Sequence, residues 1–255
     1  MKKVLVVSDI HAGSKVSLMP PTVTEEDGTK HIHNPIQEKI YNKWVEMCDD
    51  VGKVDLCVVL GDSCDGFNRK SNGLGMWTTD LKLQADTAVN LLKMINTKKY
   101  YGVQGSFYHV GENMSSDAYV IDKLNGTFDD DMIIDIEKTR CYFRHWVSST
   151  SSVWMYKPTK VAREMILAHA NMEQYGKINI FGFGHVHNFV GVEYGHTYGF
   201  TAPCWKGRDG FAKRGTFGWT PQFGYVVLDI HGSDFNIEKH LFSLKGKDLI
   251  KEAKI

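Results

Sequence analysis

The 255-residue sequence lacks any run of about 18 apolar residues, the length a membrane-spanning helix needs. Its apolar N-terminal run, Val4 to Val7 behind Lys2 and Lys3, is too short for a signal peptide, so the expectation is a cytoplasmic protein with no membrane partner. It also lacks an excess of either charge. Lysine plus arginine number 30 and aspartate plus glutamate 30, so no overall positive field draws the chain onto a long nucleic-acid backbone. There is no C-x-x-C pair: Cys48, Cys57, Cys64, Cys141 and Cys204 are odd in number and far apart, and read as free thiols in a reducing compartment. Internal repeats, low-complexity tracts and interdomain linkers are absent too. A chain of this length with 42% hydrophobic residues suits one domain over 1–255. No obligate protein partner is inferred.

What is present begins with Val4 to Val7, a short β-branched run ending in Ser8-Asp9, which reads as a strand buried on both faces. A second such strand, Val54 to Leu60, ends in Gly61-Asp62 and follows an amphipathic helix over Pro35 to Asp50. The spacing further predicts helices over Thr78 to Ile95, Ser115 to Leu124 and Thr159 to Tyr175, and strands over Tyr100 to Gln104, Met132 to Ile136, Arg140 to Val147 and Ile178 to Phe183. Hairpins follow, including Gly224 to Ile230 and Phe235 to Phe242. Alternating strands and helices followed by antiparallel strands predict two packed mixed sheets with helices outside. Three stretches read as irregular: Ala12 to Asn34, Phe67 to Trp77 and Ala202 to Gln222.

Three polar clusters stand at the carboxyl ends of predicted strands: Asp9-Ile10-His11, Gly61-Asp62 and Gly184-His185-Val186-His187. That edge is where α/β sheets bind ligands. Carboxylate and imidazole together suit manganese, iron or zinc. Two residues apart on an extended strand end, the side chains of each D-x-H or H-x-H pair point to one side. Any one pair alone also fits ordinary core residues; the set in this order carries the reading.

That order, from Asp9 to His187, resembles the calcineurin-like metallophosphoesterases. The resemblance implies an α/β fold of the α+β type, a four-layer αββα sandwich of two mixed β-sheets flanked by helices. It implies a metal-dependent hydrolase of phosphate esters, a phosphodiesterase, nuclease or phosphatase, whose hydroxide is activated by a dinuclear centre. Two divalent ions are expected, Mn2+ foremost, with Fe, Zn or Ni open. Asp62 would bridge them, Asp9, His11 and His187 would serve one, and His185 the other. A further histidine at a strand end is expected; His145 is favoured over His169, which falls in a predicted helix.

The family's Gly-Asn-His-Asp/Glu motif is missing. In its place stands Gly105-Ser106-Phe107-Tyr108-His109-Val110-Gly111-Glu112. His109 is expected to assist catalysis beside Asp62, as a general acid or electrostatic partner, or else to bind the second metal; Ser106 is either a substitute ligand or a turn former. Asp65 either orients a ligand histidine or forms an Asp-Gly turn. Trp205, Lys206 and Arg208, with Phe211, Lys213 and Arg214, form a basic and aromatic cluster that would hold substrate phosphate or stack a base, or simply lie on the surface over a buried tryptophan. The substrate expected is a phosphorylated small molecule, a nucleotide or a short nucleic acid. The alternative is a metallophosphoesterase-fold binding scaffold with impaired catalysis.

Overall fold

The structure, a computed structural model, describes residues 1–67, 72–110, 115–147, 157–208 and 220–244. Strand β1 (Lys2–Val7) pairs in parallel with β4 (Leu56–Val59), which pairs with β5 (Tyr100–Val103) and then β6 (Thr127–Asp129). On its other side β1 pairs antiparallel with β12 (Phe223–His231), which is edged by β13 (Asp234–Phe242). The second sheet has the order β10 (Val190–Tyr194), β11 (Thr197–Thr201), β9 (Ile180–Phe183), β8 (Thr139–Arg144), β7 (Asp131–Ile136).

Period-two alternation explains how the layers stack. Val4, Val6, Leu56, Val58, Val226 and Leu228 point into a core between the sheets, where they meet Cys141, Phe143, Ile180 and Phe200. The intervening Leu5, Val7, Cys57, Val59 and Val227 point the other way, onto helices α1 (Pro35–Val51), α2 (Leu81–Leu92) and α4 (Ser116–Lys123). A third core seats Val161 and Met165 of α5 (Lys157–Ala170) on Phe181 and Phe183. Three cores separated by two sheets make a four-layer αββα sandwich, as the continuous apolar runs of β1 and β4 predict.

Helix α1 starts where the sequence places it. Asn34 accepts from the amides of Ile36 and Gln37, the Gln37 side chain returns to the Asn34 amide, and Pro35 stands at the first helical position. Its buried residues Ile40, Trp44, Met47 and Val51 recur at helical spacing, and the Trp44 indole donates to the Leu91 carbonyl at 3.1 Å.

Some expectations are corrected. The stretch 12–34 contains a hairpin, β2 (Thr22–Thr24) and β3 (Lys30–Ile32), turned at Asp27-Gly28; these strands are too short and exposed to carry an apolar pattern. The single helix expected over 159–175 is broken at Asn171, whose side-chain amide donates to the Leu167 carbonyl at 2.7 Å, and α6 (Met172–Tyr175) is separate. A one-turn helix α3 (Phe107–Val110) follows β5. All five cysteines are unpaired. Among the described residues no helix is long and apolar enough to cross a membrane.

Candidate metal centre

Five loops converge at the carboxyl edge of the two sheets: those after β1, β4 and β5 in one, and after β8 and β9 in the other. They bring together Asp9, His11, Asp62, His109, His145, His185 and His187. Asp9, His11 and His187 offer ligand atoms within 4.8 Å of one another, as do His11, Asp62 and His109, and Asp62, His145 and His185. Asp62 belongs to two of these groups and stands between the others. His169, by contrast, is exposed on α5.

The pairs do not converge by the extended geometry that the spacing suggests. Asp9, His11, Asp62, His185 and His187 all have positive φ, 54°, 52°, 51°, 67° and 58°. Non-glycine residues rarely adopt this left-handed region, and each costs on the order of 1–3 kcal/mol. The kinks turn each strand end back over the sheet edge. Backbone bonds fix them: the Asp9 amide donates to the Gly61 carbonyl (3.1 Å), His11 to Asp62 (2.9 Å), Trp205 to Asp9 (3.0 Å) and Gly184 to His145 (3.0 Å).

Buried polar contacts hold the side chains. Asp117, the second residue of α4, accepts from the amides of Asp62 (3.2 Å), Ser63 (2.9 Å) and Gly105 (3.0 Å), locking two loops together. Ser106 donates its amide to Asp62 Oδ1 at 2.7 Å and its hydroxyl lies 3.1 Å from both carboxylate oxygens, so it positions the carboxylate. Ser8 donates to Asp9, and the Asp9 Oδ2 also accepts the His185 amide at 3.1 Å. His145 Nδ1 donates to the Leu60 carbonyl at 2.6 Å, which leaves Nε2 on the side of Asp62 Oδ2, 3.1 Å away. Asp65 Oδ1 lies 2.9 Å from His11 Nδ1, and the Asp65 carbonyl accepts from His109 Nδ1 at 2.7 Å.

Electrostatics follow from burial. Burial alone would favour neutral carboxyls, but His187 and His11 beside Asp9, and His145 beside Asp62, outweigh it and hold both well below the ordinary range. Against burial, Asp62 raises His145 to about 9, and Cys204 and Asp9 raise His187 to about 10. Burial, reinforced by His11 and by His145 respectively, lowers His109 and His185 to about 4. Burial and the nearby Asp62 raise Asp117.

The arrangement fits divalent cations. Around one buried point, His145 Nε2 lies 3.1 Å from Asp62 Oδ2, His187 Nε2 lies 3.0 Å from Asp9 Oδ1, and the Nε2 atoms of His11 and His187 are 3.1 Å apart. Carboxylate and imidazole donors crowded around a common point are what a shared cation requires once it displaces their protons.

The fold recurs among solved structures. The chain superposes on Vps29 of Entamoeba histolytica in complex with Zn2+, with a TM-score of 0.51 and 13% identity over 94% of this chain and 99% of that one. Vps29 of Chaetomium thermophilum gives 0.51 and 13% over 95% and 99%. The fold is the metallophosphoesterase sandwich. At this identity the likeness shows the fold alone. No protein-family profile matches the sequence, and no curated protein matches it.

The expected substrate cluster is corrected in part. Trp205 is wholly buried, 4.7 Å from the Trp44 ring, and is a core residue that cannot stack a base. Lys206 is also buried, its ammonium 2.6 Å from Asp65 Oδ1, and does not reach outward to a phosphate. Arg208 is half-buried. Phe211, Lys213 and Arg214, and Gly111 with Glu112, lie outside the described residues. Sequence reading missed Asp117, hidden as an ordinary acidic residue in a helix's first turn. It also missed Trp146, whose half-buried ring lies 3.9 Å from that of His185; its one signal is its place beside His145.

Proposed function

We propose that the protein is a metal-dependent phosphoesterase holding two divalent cations, with Asp9, His11 and His187 on one, His145 and His185 on the other, and Asp62 between them. The observation that carries this is the convergence of carboxylate and imidazole ligand atoms in three groups, each within 4.8 Å, linked to one another through His11 and Asp62. Cations held there would bring the pKa of water toward neutrality and offset the charge of phosphate oxygens. Mn2+ is the first candidate, with Fe, Zn or Ni as alternatives, and the Zn2+ complex of the E. histolytica neighbour supports the trial of zinc.

The chain's own residues supply the rest. Ser106 and Asp117 fix the Asp62 carboxylate and its loop, the work of orientation. His109 keeps its Nδ1 proton on the Asp65 carbonyl, so Nε2 is an acceptor when the ring is neutral. With its pKa lowered to about 4, the neutral form dominates near pH 7, which favours His109 as a cation ligand or proton acceptor. It becomes a proton donor to a leaving oxygen only once a phosphate has drawn a proton onto it. A phosphorylated small molecule, nucleotide or short nucleic acid is the substrate class, with Arg208 retained as a candidate phosphate contact.

A catalytically impaired scaffold is the second reading, favoured by Ser106 standing where the family has an asparagine ligand. One experiment separates them: turnover of bis-para-nitrophenyl phosphate and para-nitrophenyl phosphate with Mn2+, alongside metal analysis. Asp62→Asn and His187→Ala should each lower the rate by more than about 100-fold, since even residues behind the ligands are worth about 10–100-fold. Undiminished rates in both variants would sink the phosphoesterase reading. Bound metal without turnover would select the scaffold.

A further inference from the structure

We infer that Lys206 is a positioning residue of the metal centre, acting through Asp65 on His11 and His109; this rests on the proposed two-cation site. A lysine buried to 6% exposure is costly unless paired, and this one is paired with the carboxylate that faces a candidate ligand. The chain of contacts is continuous. Lys206 Nζ donates to Asp65 Oδ1 at 2.6 Å, the same oxygen lies 2.9 Å from His11 Nδ1, and His11 Nε2 lies 3.6 Å from Asp9 Oδ1 and 4.0 Å from Asp62 Oδ2. The Asp65 carbonyl meanwhile takes the His109 Nδ1 proton.

The lysine is itself held by backbone on both sides. Its residue bridges to Ser17, the Leu18 amide donates to the Trp205 carbonyl at 3.1 Å, and the Gly207 amide to the Val16 carbonyl at 2.7 Å. Ser17 Oγ donates to the His11 carbonyl at 2.7 Å, so the segment that carries Lys206 is tied to the loop that carries His11. Trp205, wedged against Trp44 and Phe242, anchors that segment to the helix layer.

Two separate demands are met by this geometry. Asp65 must lie at the Nδ1 side of His11 so that Nε2 is the ligand atom, the usual arrangement for a carboxylate behind a metal-bound histidine. Asp65 must also not swing into the centre and bind a cation itself. The ammonium satisfies both, by tethering Oδ1 in place.

The test is a Co2+ titration of the full chain, read by its visible absorption spectrum and by the dissociation constant, for wild type and Lys206→Met. The positioning role predicts a roughly 10- to 100-fold weaker Co2+ affinity and an altered spectrum in K206M. Thermal melting of the chelated proteins monitors folding. If K206M binds Co2+ with wild-type affinity and spectrum while melting lower, the lysine only supports the fold and the inference fails. If K206M does not fold, the double variant D65N/K206M, which leaves no unpaired buried charge, takes its place with the same expected loss; wild-type affinity there overturns the inference. A wild type that binds no Co2+ overturns the functional reading and this inference with it, whereas equal binding by wild type and variant overturns the inference alone.

Discussion

Gly105 shows how narrow the tolerances of the centre are. A Cβ there would sit 2.7 Å from Asp117 Oδ2 and collide outright with the amide and carboxylate of Asp62. Only glycine lets the β5 loop pass so close to the β4 loop. Gly105→Ala should therefore displace Asp62, weakening metal binding by about 10- to 100-fold. Isothermal titration with Mn2+ or Zn2+ checks this; wild-type affinity would mean that the Asp62, Gly105 and Asp117 interlock does not support the site. The sequence shows Gly105 as one turn residue among many, because a close approach of two loops leaves no mark on either loop's own pattern. The same holds for Asp117, which serves residues 55, 54 and 12 positions away.

Elements were the most legible level. The helix expected over 35–50 is observed at Pro35–Val51, and the strands expected at 4–7, 100–104 and 132–136 are observed at Lys2–Val7, Tyr100–Val103 and Asp131–Ile136. These carry long apolar periods or proper caps, signals that are local. The β2–β3 hairpin and β6 were not legible: three exposed or half-exposed residues each form a strand only because a partner lies alongside. Between elements, the load falls on large contacts such as Trp44 against Trp205. Trp44→Ala removes a fully buried ring and a bond to Leu91, and should destabilise the chain by about 3–5 kcal/mol in urea unfolding. A loss below about 1 kcal/mol would show that α1 does not depend on this contact.

For the whole molecule, the histidine set predicts a stability optimum. His145 at about 9 and His187 at about 10 lie above the unfolded value of about 6.5, so their stabilisation of the chelated protein is complete below that value and is lost as pH rises through 9 to 10. His109 and His185, at about 4, act in the opposite sense. Their contribution is present above about 6.5 and is lost as pH falls toward 4. Chelated protein should thus melt highest near pH 6.5, and a flat profile from 5 to 9 would contradict these assignments. Cations must displace the protons of His145 and His187, so binding at pH 7.5 should release about two protons per chain, measurable in weak buffer. No release would mean that the two imidazoles are not ligands.

The sequence by itself determined the layered α/β architecture and which polar residues stand at strand ends, because hydrophobic period and turn chemistry are properties of short segments. Only the tertiary structure decided that Trp205 and Lys206 lie inside, that Ser106 grips Asp62 and that the D-x-H and H-x-H pairs converge through left-handed kinks. Those outcomes depend on contacts between loops from different strands and sheets, such as His185 on Asp9 and Trp205 on Asp9, which no local pattern encodes.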